Sequence, residues 1–108
     1  PAMPFLDDKA PKAVKKLKFT WTAQGPMLTW ATPKANAKKW DDQVNRFAVY
    51  RFEKGAKINL NDVSALQGVT YGESYKVAYE KGKKYVYVVT ALDRVGNESK
   101  GKKKTVAL

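Results

Sequence analysis

Apolar and polar side chains alternate along most of this chain with a period of two. Over residues 14–21, Leu17, Phe19 and Trp21 alternate with Lys16, Lys18 and Thr20, the pattern of a half-buried strand. Gln24-Gly25-Pro26 signals a turn. Residues 27–31 follow, with Leu28 and Trp30 on one face, so the two segments read as a hairpin. A third strand is predicted over 44–52, with Phe47, Val49 and Arg51 on one side and Ala48, Tyr50 and Phe52 on the other. Alternation resumes over 74–79 at Tyr75 and Val77. The strongest segment, 85–92, is β-branched and aromatic on both faces, the composition of a central strand. A last strand, near 103–108, alternates weakly.

The connections are polar. Residues 32–43 read as a lysine-rich loop holding Pro33 and one large apolar residue, Trp40. Residues 56–73 have room for a single helical turn with an Asn cap, and Gly68 and Gly72 argue against anything longer. After residue 92, Asp93 and Asn97 suit Asx-type bonding and Gly96 suits positive φ. Short strands, tight turns and no helical period predict an all-β sandwich over 14–108. Residues 1–13, with Pro1, Pro4 and Pro11, read as a linker or lead-in from an upstream domain.

A chain of 108 residues holds one domain. The absence of Cys and His removes disulfides, thiol chemistry, Cys/His zinc sites and the usual general base of hydrolases. No apolar run approaches the ~18 residues of a membrane span. The formal charge of +11 rests mostly on Lys, with only Arg46, Arg51 and Arg94 as arginines. A basic balance raises polyanion binding as a possibility, carried for example by Lys102, Lys103 and Lys104. The scarcity of Arg forks disfavours nucleic acid as a partner.

The segment Tyr85-x-Tyr87-x-Val89-x-Ala91-x-Asp93-x-x-Gly96 resembles the sixth strand and following turn of fibronectin type III domains. Leu28-x-Trp30 and Phe47-x-Val49-Tyr50-Arg51 stand upstream in the matching order. The resemblance implies an immunoglobulin-like β-sandwich of about seven strands. Val49-Tyr50-Arg51-Phe52, the run from Val88 to Arg94 and Asn97-Glu98-Ser99 narrow it further. They resemble the C-terminal fibronectin-type domain of a bacterial family of glycoside hydrolases whose catalytic part is a family-10-like barrel. That likeness implies a non-catalytic accessory or spacer module, without cofactor or metal. It implies an upstream catalytic domain of the same chain as partner and an extracytoplasmic address, whether periplasm, envelope or secreted. An isolated domain of this kind is expected to be a monomer.

Four sets of residues are singled out. Tyr85 stands where the family has its corner tyrosine, whose hydroxyl bonds backbone a few residues upstream. Trp40 is the candidate for stacking on a sugar face, giving a carbohydrate-binding module as the alternative function; burial against the end of the sandwich is the competing reading. The strand alternation puts Tyr50, Phe52, Val86 and Val88 on one outer face with Leu92 at its edge. That face is a candidate for docking on a neighbouring domain, unless lysine stems and residues 1–13 cover it. The carboxylate pairs Asp7-Asp8 and Asp41-Asp42 read as solvated loop charge, because adjacent strand residues point to opposite faces.

Overall fold

The computed structural model describes residues 10–33 and 44–108. Strands β1 (Lys15–Thr22), β2 (Gly25–Ala31) and β5 (Ser74–Lys76) form one antiparallel sheet in the order β1-β2-β5. Strands β4 (Leu66–Thr70), β3 (Val44–Glu53), β6 (Lys84–Asp93) and β7 (Lys102–Ala107) form the other, in the order β4-β3-β6-β7. The β4–β5 connection carries the chain from one sheet to the other. The all-β sandwich read from the alternation is the fold observed.

The inward faces are those the period-two pattern selects. Leu28, Phe47, Val49, Tyr87, Val89, Ala91 and Val106 are buried in one cluster between the sheets. Trp30 is core as expected, and it meets Phe47 edge-on at 5.4 Å between ring centroids. Burial of side chains of this size supplies about 1.5–3 kcal/mol each, which drives the closure of two sheets that are unstable singly.

Local structure departs from the sequence expectation in three places. The helical turn is a 3-10 turn, Val63–Ala65, capped by Asp62 rather than by an Asn; its carboxylate accepts from the Ser64 N–H at 3.1 Å. β4 follows directly, a strand whose mixed exposure leaves no clear period to read. β1 carries an irregularity between Lys15 and Lys18, where Lys16 takes φ 55°. A bulge of this kind bends an edge strand away from further pairing.

A further correction concerns the outer face of the larger sheet. Tyr50, Phe52 and Val88 are buried, at 7%, 6% and 1% exposure, and Val86 and Leu92 are half-buried. The cover comes from the β3–β4 connection, whose Ile58, Leu60 and Ala65 pack on this face with Ala48. The expected open docking face is therefore a second small core within the domain. Gly101, just before β7, lies close against this second core: a Cβ there would stand 2.3 Å from Val88 Cγ1.

The sandwich has two poles. The chain enters β1 at Lys15, opposite Ala31, and this upper pole also holds the Tyr71–Glu73 turn and the Asp93–Gly96 turn. At the lower pole Trp21 lies opposite Pro26, and the segment 77–83 crosses from β5 to β6.

Candidate functional site

The carboxylates of Asp62, Glu73, Glu80, Asp93 and Glu98 are engaged in holding the fold. Glu73 accepts from the Thr32 N–H at 2.6 Å and its hydroxyl at 2.9 Å, and these bonds hold its carboxyl below the usual range. Asp93 Oδ1 accepts from the N–H groups of Val95 and Asn97 at 3.0 and 2.9 Å, closing the Asx-type turn expected there. Glu98 Oε2 accepts from Tyr50 at 2.5 Å and from Thr90 at 2.6 Å. Among the described residues, no group of three His, Cys, Asp or Glu is arranged to hold a metal ion.

Tyr85 sits at the start of β6, as the corner position requires, but its partner differs from the expected one. Its hydroxyl donates to Glu80 Oε2 at 2.9 Å, a side chain five residues upstream rather than backbone. Arg51 completes the arrangement, with its Nη1 3.4 Å from Glu80 Oε1 and its guanidinium 4.4 Å above the Tyr85 ring. The hydrogen bond to the carboxylate, followed by burial, pushes the Tyr85 hydroxyl pKa up. This triad ties the crossing segment 77–83 to β3 and β6, so it performs the pinning role by another bond.

Tyr50 is a second buried phenol bonded to a carboxylate. Burial first, then the bond from its hydroxyl to Glu98, raise its pKa from 10.0 to about 12. A phenol raised in the folded state stabilises the fold fully below its unfolded value and loses that contribution as pH climbs through its folded value. The domain should therefore lose stability between pH 10 and about 12. Tyr50→Phe should cost about 1–2 kcal/mol at neutral pH through the lost charge-assisted bond. It should also show a shallower alkaline decline than the parent in thermal melts across that window.

Trp40 lies outside the described residues. The lysine-rich edges are visible: Lys15, Lys16 and Lys18 on β1 and Lys102, Lys103 and Lys104 on β7 are all exposed. Both strands are sheet edges, where lysines blunt unwanted strand pairing.

One concave feature was missed in the sequence. A groove of about 400 Å³ opens at the lower pole, lined among others by Gln24, Gln67, Tyr75, Lys76, Tyr79 and Tyr87. Tyr79 is 56% exposed and Trp21 55%. Their rings meet at 5.7 Å with planes 72° apart, and Phe19 backs Trp21 from beneath at 5.7 Å. Trp21 has the inward parity of its strand, yet it lies past the end of the core, opposite Pro26. Alternation reports the face of a strand and not how far along it the core extends, which is why this exposure was not legible.

Two sheets in these strand orders, with the inward Trp30 and the Tyr85 corner, define a fibronectin type III-like β-sandwich. Among solved structures, the fold is shared with an Fn3-like protein from Clostridium thermocellum at TM-score 0.63 and 20% identity, covering 90% of this chain and 92% of that one. The Caenorhabditis elegans twitchin kinase region matches at TM-score 0.69 and 14% identity over 93% of this chain and 17% of its own. The Clostridium perfringens spore cortex lytic enzyme SleM matches at 0.61 and 18% over 91% and 28%. No family model matches the chain. In sequence, the chain is similar to the glycosyl hydrolase YngK of Bacillus subtilis (strain 168), with 35% identity over 107 residues. That match takes in 97% of this chain and only 20% of the relative, so the chain spans about a fifth of the protein it resembles.

Proposed function

We propose that this chain is a non-catalytic accessory domain of a larger glycoside hydrolase-type protein. The observation that carries the reading is the match of nearly the whole chain to one fifth of a glycosyl hydrolase. The chemistry agrees with it. Glycosidases place two carboxyls about 5–10 Å apart across an open cleft, whereas Glu73, Glu80, Asp93 and Glu98 here are bound to Thr32, Arg51 and Tyr85, the Asp93 turn, and Tyr50 with Thr90. The groove at the lower pole has no carboxylate in its lining. The work of such a domain is spacing and packing beside a catalytic partner in the same polypeptide. The relationship supports an extracytoplasmic address as part of this reading.

The test compares three preparations: the isolated chain, its parent polypeptide, and the parent lacking residues 10–108. The parent should release reducing sugar from a glycan panel, and the isolated chain should release none. The truncated parent should keep its carboxylates but melt at a lower temperature. Glycan hydrolysis by the isolated chain, or a parent without hydrolase activity, would overturn the reading.

A further inference from the structure

We infer that the lower-pole groove, with Tyr79 in its lining and Trp21 packed against the Tyr79 ring, is a saccharide-binding subsite. The inference rests on the accessory-domain reading, and its test is made on the isolated chain so that each can fail separately. Five features support it. Tyr79, which lines the groove, and Trp21 beside it are two exposed rings set 72° apart at 5.7 Å, so together they can present a floor and a wall. A pyranose has an apolar C–H face that stacks on an aromatic ring and an equatorial belt of hydroxyls. Gln24 and Lys76 also line the groove, and their amide and ammonium groups offer donors and an acceptor to that belt.

The size of the groove also distinguishes the occupant. About 400 Å³ falls within the range of small-ligand clefts, roughly 300–1,000 Å³. A protein partner needs a far wider contact, on the order of 800 Å² from each side. Position points the same way. Trp21 is six residues along β1 from Lys15, where the chain enters the sandwich, a distance of about 20 Å at strand rise. A domain joined ahead of β1 would meet the upper pole and leave the groove open.

The rings are not there to complete the core. Trp21 and Tyr79 are absent from both buried clusters and from the residues packed against them. Tyr71, 75% exposed in the β4–β5 turn at the upper pole, provides the comparison: an exposed aromatic with no ring partner among the described residues.

The experiment is affinity electrophoresis of the 108-residue chain through gels containing soluble neutral polysaccharides: xylan, glucomannan, hydroxyethylcellulose, laminarin and pullulan. Tryptophan fluorescence titration with the matching oligosaccharides runs alongside it. At least one polymer should retard the chain, at high salt as well as low. Trp21→Ala and Tyr79→Ala should each weaken that binding by at least about tenfold, while Tyr71→Ala leaves it unchanged. Both rings are exposed, so circular dichroism melts of the variants should stay close to the parent. Tyr79→Phe, which keeps the ring, should retain most of the binding. Four outcomes overturn the proposal: no retardation by any polymer, retardation that survives both alanine variants, retardation that high salt abolishes, or loss on Trp40→Ala instead. Trp21- and Tyr79-dependent binding to the rest of the parent polypeptide, without saccharide binding, would assign the groove to a protein contact and overturn it equally.

Discussion

Trp30→Ala should lower the unfolding free energy by about 3–5 kcal/mol, the range for removing a large aromatic from a core. Trp30 is 5% exposed and is braced by Phe47 across the space between the sheets. Deleting the indole therefore removes inter-sheet contacts as well as buried area. Total stabilities of domains are about 5–15 kcal/mol, so the variant should lie near its folding threshold. Denaturant unfolding followed by far-ultraviolet circular dichroism measures the effect. Among the described residues the indole N–H has no partner, so Trp30→Phe gives up no hydrogen bond to them and should cost less than half as much. Equal losses for the two variants would show that the N–H, and not the ring volume, is what matters.

Asp93→Ala should cost about 2–3 kcal/mol, because a charged acceptor serving several donors is lost at once. The side chain is 1% exposed. Its Oδ1 takes the N–H groups of Val95 and Asn97, and its Oδ2 takes the Asn97 amide at 3.1 Å. The turn it closes returns the chain to β7, and Ser99 then bonds Ala91 from both backbone and side chain at 2.8 Å. Asp93→Asn keeps one carbonyl acceptor for the two backbone donors and should lose roughly half as much. Thermal melting reads both, at about 4–8 °C per kcal/mol for a small domain. Asp93→Ala within about 1 °C of the parent would contradict this account.

Both residues were legible in the sequence for a physical reason. Trp30 stands two residues from Leu28 in a strict alternation bounded by a turn, and in a strand that period fixes which face is buried. Asp93 stands at a spacing from Gly96 and Asn97 that local bonding alone can satisfy. The core face of β3 and β6 was readable in the same way, down to Phe47, Val49, Tyr85, Tyr87, Val89 and Ala91. The other face of those strands was readable as apolar, but not as covered. Ile58, Leu60 and Ala65, which cover it, lie in a stretch whose path is set by tertiary packing and not by any period.

The corner tyrosine divides along the same line. Its place at the head of β6 follows from the spacing of the strand. Its bond to Glu80 and its cover by Arg51 depend on where the crossing segment and β3 meet, a contact between residues far apart in sequence.

Alternation, turn residues and the lack of Cys and His thus determined a two-sheet sandwich without thiol or histidine chemistry, because strand period and turn geometry are local properties. Only the tertiary structure decided which apolar residues stay in solvent. It closed the face of Tyr50, Phe52 and Val88 beneath the chain's own connection, and it left Trp21 and Tyr79 standing beside a groove at the far end of the core. Exposure depends on what arrives from elsewhere in the chain to cover a side chain, and the period of a strand carries no record of that.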